Sequence, residues 1–426
     1  MKRLIAVLII VILSAGFVYA QQKIEKDKPG FFALYGWYGD ILDNVDNVSK
    51  TGIKWVRTGG NSLDEEADKC VLEAAKKGIH CVPVLGDKEA AQKNDMKKWR
   101  ETVRKVIERF GPNGSLWKEN PSVPALPVTY VEIWNEPNIE FLEPPEGMLR
   151  DEIYYNLLKN AYEEIKSINK DIKVVAFNTA GGTIVSESGP PINGMFQKLK
   201  YFGWLKLIKD VHKRGGCKYY DILGTHPYTT PKPPEKAKLI QSIETIRKEM
   251  KESCGGERPI WFTEVGFPLV YPNSRNVKDE DEQADFLLRL WGQSAAHGVE
   301  QVQIMYVIDI IYGPDNSSRA FGFFDKGKWR KQATATKVMI DLLGDPPQLS
   351  NVISDGAEGY FAYEFKGKSG KNVLMVWTSN KEAENKEIKV EGNLKAIIDK
   401  LGMKQVIPTK DGKISLKVTG SPVFIE

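Results

Sequence analysis

Histidine is scarce in this chain, with four residues among 426. His80, His212 and His297 fall before predicted strands or within a helix, and only His226 lies at the C-terminal end of a predicted strand. No His-Glu-x-x-His helix and no Gly-x-Ser-x-Gly elbow occur, which argues against a histidine-based metal site and a Ser-His-Asp triad. We therefore expect no metal and no organic cofactor.

A concentrated positive charge is also missing. The formal net charge is +4, with 42% hydrophobic and 27% charged residues, and the lysines and arginines are scattered rather than clustered with aromatics. This composition is typical of a soluble globular protein and gives no sign of binding to nucleic acid or to an anionic membrane. We expect a monomer.

Only the N-terminus has a long apolar run. Lys2 and Arg3 precede the apolar residues 4–13, and Val18-Tyr19-Ala20 places small residues where a signal peptidase cuts. The sequence predicts a signal peptide over 1–20 and a secreted or periplasmic protein. The alternative is an uncleaved membrane anchor, because 4–20 is close to the shortest membrane span.

Cysteine is limited to four residues, too few to require a disulfide scaffold. Cys217 and Cys254 precede two successive predicted strands, and this placement allows a disulfide between them. Cys70 and Cys81 are either a second pair or buried thiols. None of the four ends a strand, so a cysteine nucleophile is not expected.

Short apolar segments rich in β-branched residues alternate with amphipathic segments over residues 21–344. Eight such repeats predict a (β/α)8 barrel. A doubly wound sheet is the alternative, but no Gly-rich phosphate turn follows the first strand. The predicted strands are 31–35, 54–57, 80–85, 128–134, 172–177, 220–225, 259–263 and 301–308; the clearest helices are 62–77, 90–110, 149–169, 235–252 and 280–297.

Residues 345–426 have a different pattern. Short alternating segments separated by Gly- and Asn-rich turns predict a small antiparallel β-sandwich packed against the barrel. Its predicted strands are 360–365, 372–377, 387–390, 413–418 and 423–426, with Trp377 in the core.

Two acidic motifs end predicted barrel strands, namely Trp134-Asn135-Glu136-Pro137-Asn138 and Trp261-Phe262-Thr263-Glu264-Val265-Gly266. A carboxylate at such a position is costly to bury unless it is paired or used. Functional side chains of a barrel gather at the C-terminal ends of its strands. Glu136 and Glu264 are thus the candidate pair for acid/base and nucleophilic chemistry on a glycoside.

Other polar and aromatic residues are predicted at the same end of the barrel, where sugar hydroxyls need hydrogen bonds and sugar faces need aromatic platforms. They are Trp37, Arg57, Asn135, Asn178, His226 and Tyr228. Glu132 lies deeper on strand four, and we interpret it as a structural partner of Arg57. Trp134 is predicted to be core. The loops 139–148, 180–196 and 312–331 are expected to shape the cleft.

The chain resembles the clan of retaining glycoside hydrolases with (β/α)8 barrels. The resemblance rests on Asn-Glu-Pro on strand four, His-x-Tyr on strand six and Thr-Glu-x-Gly on strand seven. Within the clan it is most similar to glycoside hydrolase family 39, which includes exopolysaccharide-cleaving endoglycosidases. The motifs are Gly52-Ile53-Lys54-Trp55-Val56-Arg57, the run from Asp221 to Tyr228, Phe321-Gly322-Phe323-Phe324-Asp325, and the C-terminal sandwich.

The resemblance implies specific roles. Glu136 is the general acid/base, Glu264 is the nucleophile, and Asn135 binds the sugar 2-hydroxyl. Arg57, His226 and Tyr228 are expected to hold the nucleophile. Clan members often have a tryptophan at the end of strand eight, which this chain lacks, and Tyr306 is expected to take its place.

The implied substrate is an oligo- or polysaccharide, with a β-linkage favoured by the resemblance. Two alternatives remain open from the sequence: a transglycosylase using the same site, and a non-catalytic glycan-binding barrel.

Overall fold

A closed barrel of eight parallel strands forms the larger part of the molecule. A computed structural model describes residues 28–186, 202–270, 276–312, 317–380, 382–390 and 394–426. The predicted signal peptide lies outside these residues. The barrel strands, paired in sequence order with β8 closing on β1, are β1 Phe32–Gly36, β2 Trp55–Thr58, β3 His80–Leu85, β4 Tyr130–Ile133, β5 Lys173–Ala180, β6 Ile222–His226, β7 Ile260–Val265 and β8 Gln301–Met305. The predicted barrel is confirmed.

Helices surround the barrel. In the described residues they are α1 Tyr38–Thr51, α2 Glu65–Lys76, α3 Lys88–Lys93, α4 Met96–Phe110, α5 Ser115–Glu119, α6 Arg150–Ile168, α7 Trp204–Lys213, α8 Leu239–Cys254, α9 Glu280–Ala296 and α10 Lys331–Leu343. No helix in the described part of the chain has both the length and the apolar composition of a membrane span.

Element ends differ from prediction where the backbone leaves its regular conformation. The helix predicted over 90–110 is two helices, because Asn94 adopts a left-handed conformation (φ 50°) and Asp95 caps α4 by accepting from Lys98 N–H. The strand predicted over 128–134 stops at Ile133, since Trp134 has φ 66°. Strand β8 ends at Met305 rather than at residue 308.

Aromatic side chains fill the end of the barrel where the strands begin, called the lower end below. Trp55, Tyr130 and Trp261 pack together inside it, and Trp55 stacks on His80 at 4.1 Å. Burial lowers the pKa of His80 to about 4, so its imidazole is neutral core. Aromatic packing thus closes the lower end, and the strands terminate at the opposite end, called the open end below.

Antiparallel sheets follow α10. Their strands are β13 Gln348–Asp355, β14 Tyr360–Lys366, β15 Asn372–Thr378, β16 Glu384–Lys389, β17 Leu394–Ile398, β18 Lys404–Pro408, β19 Lys413–Val418 and β20 Val423–Ile425. Six of them form a sheet in the order β13–β14–β15–β20–β17–β18, and β16 pairs with β19 in a ribbon across a shared apolar core. Between the barrel and α10, two short hairpins pair β9 Ile310–Tyr312 with β10 Ser317–Arg319 and β11 Phe324–Asp325 with β12 Lys328–Trp329. The sandwich is confirmed, although β13, β17 and β18 were not predicted.

The sandwich packs on α9. Gly292 allows close contact with Met375 and Trp377, and the Trp377 side chain is fully buried, as predicted. Arg289 on α9 donates to the carbonyl of Gly420, and Lys400 pairs with Asp285 at 2.7 Å. The two parts of the molecule are thus joined by buried polar contacts as well as by apolar packing.

A disulfide joins Cys217 to Cys254 at the lower end of the barrel, with Cα atoms 5.5 Å apart. Cys70 and Cys81 are buried free thiols and do not form a second bond.

Candidate active site

Arg57 is the centre of a polar network at the open end of the barrel. Its Nε donates to Glu132 at 2.8 Å, one terminal nitrogen donates to Glu264 at 3.0 Å, and the other donates to Asn135 at 2.7 Å. The guanidinium is fully buried and its Cζ lies 4.3 Å from the ring centre of Tyr35. One planar cation therefore fixes three side chains from β4, β7 and the loop after β4.

The Glu264 carboxylate receives a hydrogen bond on each oxygen. Oε2 accepts from Arg57, and Oε1 accepts from the Tyr228 hydroxyl at 2.7 Å. Two donors therefore converge on this carboxylate. Both Arg57 and Tyr228 were predicted to contact Glu264.

Glu136 lies directly across the site on a strained turn. Trp134 and Glu136 have positive φ values of 66° and 48°, and the Glu136 amide donates to the carbonyl of Asn178 at 3.0 Å. The side chain is 14% exposed. Burial raises the pKa of Glu136 to about 7, although the charge of Arg57 opposes the shift.

The two carboxyl groups face each other closely. One oxygen of Glu136, one oxygen of Glu264 and one nitrogen of His226 all lie within 4.8 Å of one another. A divalent cation fits this set poorly, because both Glu264 oxygens already accept hydrogen bonds and the Arg57 cation is in direct contact. The arrangement suits two carboxyl groups in different protonation states.

His226 contacts Glu136 rather than Glu264, which corrects its predicted contact. Its Nδ1 lies 3.0 Å from Glu136 Oε1, and burial lowers the pKa of His226 to about 3, against the opposing influence of Glu264. As the last residue of β6, His226 pairs with Ala180 of β5, on the side of β4; Tyr228, two residues on, reaches Glu264 on β7.

Asn178 is placed differently from its predicted role in sugar binding. It is fully buried at a bulge of β5, its Nδ2 donates to the carbonyl of Trp134, and its Oδ1 accepts from Thr263, both at 3.0 Å. Asn178 therefore connects the turn before Glu136 to the residue before Glu264, and it acts as a positioning residue.

Tyr306 is also not where the sequence placed it. Its side chain is 1% exposed, and its hydroxyl donates to Asp40 and accepts from the Trp37 amide, both at 2.6 Å. Met305, which the sequence reasoning missed, instead lies against the site with its sulfur 2.8 Å from the Tyr228 hydroxyl. The sequence carries no signal for Met305, because its apolar pattern extends to residue 308 and only the structure shows that β8 ends at Met305.

Trp37 offers an exposed aromatic face beside this network. It is 48% exposed, and its ring packs so closely over Gly59 that a Cβ there would meet it at 1.9 Å. The Tyr35 ring lies between Trp37 and the Arg57 guanidinium, and the centres of the Tyr35 and Trp37 rings are 6.2 Å apart. Parts of the cleft loops, residues 187–196 and 313–316, lie outside the described residues.

Comparison with solved structures finds glycoside hydrolases. A family 39 glycoside hydrolase from the gut symbiont Bacteroides cellulosilyticus WH2 matches with a TM-score of 0.71 and 19% identity, over 94% of this chain and 81% of that chain. A glucosidase from Croceicoccus marinus matches with a TM-score of 0.62 and 12% identity, over 90% of this chain and 91% of that chain. A family 30 endoxylanase from Clostridium papyrosolvens C71 matches with a TM-score of 0.58 and 12% identity, over 93% of this chain and 96% of that chain.

No protein-family model matches the chain, and neither does any curated protein sequence. The similarity to solved structures confirms the predicted fold, a (β/α)8 barrel followed by antiparallel sheets as in the family 39 enzyme.

Proposed function

We propose that this protein is a retaining glycoside hydrolase acting by double displacement, with Glu136 as general acid/base and Glu264 as nucleophile. The observation that carries the proposal is the close approach of the two carboxyl groups, with an oxygen of Glu136 within 4.8 Å of an oxygen of Glu264. Retaining enzymes separate these groups by about 5–5.5 Å, whereas inverting enzymes need roughly 6.5–9.5 Å to admit a water molecule.

In the first step, Glu264 attacks the anomeric carbon while Glu136 protonates the leaving oxygen. Arg57 and Tyr228 donate to Glu264 and hold its carboxylate in place for this attack. A pKa of about 7 keeps a large share of Glu136 protonated near neutral pH. The bond from Glu264 to the sugar forms as the bond to the leaving oxygen breaks.

In the second step, Glu136 removes a proton from the water that attacks the glycosyl-enzyme. Glycosylation neutralises Glu264, and the loss of a negative charge beside Glu136 favours the ionised form of Glu136. The pKa of Glu136 then falls, and the same group changes from acid to base.

His226 supports both steps by fixing where the proton of Glu136 resides. A neutral imidazole that donates from Nδ1 to Oε1 leaves the proton on Oε2, the oxygen free to face the leaving group. The hydrogen bond persists when Glu136 is ionised. His226 therefore orients the acid without competing for its proton.

Asn135 is suited to bind the sugar beside the nucleophile. Its Oδ1 accepts from Arg57, so its amide NH₂ is available to donate to a sugar hydroxyl, consistent with a role at the 2-hydroxyl. Trp37 offers an apolar ring face to a neighbouring sugar. We propose an oligo- or polysaccharide, β-linked, as substrate of an exported enzyme, in keeping with the predicted leader.

The test is hydrolysis of a panel of β-linked polysaccharides and aryl glycosides by the wild type and by Glu136→Gln and Glu264→Gln. We expect activity in the wild type, reduced about 10²–10⁴-fold in Glu136→Gln and by more than about 10⁴-fold in Glu264→Gln. Glu101→Gln, at an exposed position on α4, is the control and should keep full activity. Glycan binding without cleavage by the wild type would support a non-catalytic barrel instead.

A further inference from the structure

A second cluster of ligand-type side chains lies at the lower end of the barrel, away from the catalytic residues. His212 lies in the last turn of α7, Cys217 lies in the turn before β6, and Cys254 ends α8 before β7. One nitrogen of His212 and the two sulfurs all lie within 4.8 Å of one another. Two cysteines and one histidine are the ligands of many tetrahedral zinc sites.

We propose that the reduced chain binds one Zn²⁺ at His212, Cys217 and Cys254, where the oxidised chain has its disulfide. A dithiol reductant transfers two electrons and two protons to the Cys217–Cys254 bond, which yields two thiols and converts the reductant to a disulfide. Zn²⁺ then binds both sulfurs, and the two thiol protons pass to solvent. The remaining position is open to water, because both cysteines are partly exposed.

The surroundings of His212 prepare it as a ligand. Its Nδ1 lies 3.2 Å from the Glu249 carboxylate, which also accepts from the Ser253 hydroxyl at 2.6 Å. An imidazole that donates from Nδ1 to a carboxylate presents the lone pair of Nε2, as in many zinc sites.

The geometry needs only small movements. Nε2 now contacts the Tyr220 hydroxyl at 3.0 Å, and that hydroxyl lies 3.9 Å from Cys254 Sγ. Ligands of tetrahedral zinc lie about 3.5–3.8 Å apart, from bond lengths of roughly 2.0 Å to nitrogen and 2.3 Å to sulfur. The sulfurs separate on reduction, Nε2 moves inward, and the Tyr220 hydroxyl is free to donate to the Cys254 thiolate.

The charges at the site also favour a divalent cation. Two thiolates balance the charge of Zn²⁺, and the Glu249 carboxylate adds one negative charge behind the imidazole. Arg258 contacts the Tyr220 ring and donates to the Cys217 carbonyl, so it helps to hold the turn that contains Cys217. Lys209 lies 4.0 Å from Glu249 and limits the excess negative charge.

The metal would replace the structural role of the disulfide. The bond connects residues 37 positions apart and links the turn before β6 to the end of α8. A metal held by the same sulfurs closes the same loop. Reduction without metal should therefore lower the melting temperature, and Zn²⁺ should restore part of the loss.

The experiment is titration of the reduced, desalted full chain with Co²⁺ under anaerobic conditions. We expect one Co²⁺ per chain, with thiolate-to-cobalt absorption and the visible bands of tetrahedral cobalt, displaced by Zn²⁺. The bands should persist in the Cys70→Ser/Cys81→Ser control and disappear in Cys217→Ser/Cys254→Ser. Glu249→Gln should weaken Zn²⁺ binding roughly 10–100-fold.

His212→Gln tests the third ligand, with circular dichroism to confirm folding, and we expect it to lose the tetrahedral bands. If this variant misfolds because His212 is buried, the Cys217→Ser/Cys254→Ser variant still tests the site, since both cysteines are partly exposed. No cobalt binding by the reduced wild type, or bands unchanged in Cys217→Ser/Cys254→Ser, would overturn the proposal. Neither result bears on the proposed glycosidase activity, which uses the opposite end of the barrel.

Discussion

His226 and Glu136 form a direct contact of 3.0 Å between Nδ1 and Oε1, at the junction of β6 with the turn after β4. Because of this contact, the two carboxyl groups have different hydrogen-bond partners. Glu136 depends on a neutral histidine, whereas Glu264 depends on Arg57 and Tyr228. Different partners allow one carboxyl to be protonated while the other is ionised.

The first prediction concerns pH. Burial raises the pKa of Glu136 to about 7, so its acid form is present below that pH and is lost as the pH rises through it. We expect kcat/KM to fall on the alkaline side with an apparent pKa near 7, measured on an aryl glycoside across pH 4–9. An alkaline limit below pH 5 would contradict the assignment of Glu136 as the acid.

Replacement of His226 should change that profile. His226→Phe removes the Nδ1–H donor, which stabilises the ionised form of Glu136, so the alkaline limb should move to higher pH. Loss of orientation should also lower kcat/KM by about 10²-fold. His226→Gln keeps a donor and should recover part of the rate. A purely structural role would lower the rate in both variants without moving the limb.

The leaving group should distinguish the two glutamates. A nitrophenolate leaves without protonation, so Glu136→Gln should retain formation of the glycosyl-enzyme on nitrophenyl glycosides and be slow in hydrolysing it. Glu264→Gln should fail in the first step whatever the leaving group. A pre-steady-state burst of nitrophenol in Glu136→Gln but not in Glu264→Gln is the expected measurement.

Gly224 on β6 makes room for the network beneath the site. A Cβ there would lie 2.1 Å from Asn178 Oδ1 and 3.0 Å from the Thr263 side chain. Gly224→Ala should displace Asn178 and lower the free energy of unfolding by about 1–3 kcal/mol, measured by denaturant titration. Activity should fall as well, because Asn178 positions both glutamates.

Gly256→Ala is the matched control, because nothing lies within 4 Å of a Cβ at that position. It should leave both stability and activity nearly unchanged. Equal behaviour of the two variants would show that Asn178 does not depend on the space at Gly224.

Trp37 should affect binding more than chemistry. Trp37→Ala removes an exposed ring face, and we expect KM to rise about 3- to 10-fold on oligosaccharides with kcat little changed. Gly59→Ala should act in the same direction, since its Cβ would displace the Trp37 ring. A fall in kcat alone would place Trp37 among residues that act on the transition state.

The sequence could predict which residues reach the site, but not all their contacts. Arg57, Glu136, Tyr228 and Glu264 follow from parallel strands whose C-terminal ends meet at one face. The buried position of Asn178 depends on a bulge and positive φ in β5, which strand periodicity does not reveal.

Strand eight shows the same limit. Periodicity extended it to residue 308, so Tyr306 was expected to face the sugar. The strand ends at Met305, and the chain turns so that Tyr306 packs behind Trp37. Local backbone geometry therefore decides which of two adjacent residues lines the site.

The central claim is that Glu264 forms a covalent intermediate, and the most direct measurement is the configuration of the first-formed sugar. Proton NMR during hydrolysis of a β-glycoside should show the β-anomer appearing first and the α-anomer only later by mutarotation. Retention is the result expected for two carboxyl groups this close. Initial appearance of the α-anomer would show inversion and contradict the assignment of Glu264 as nucleophile.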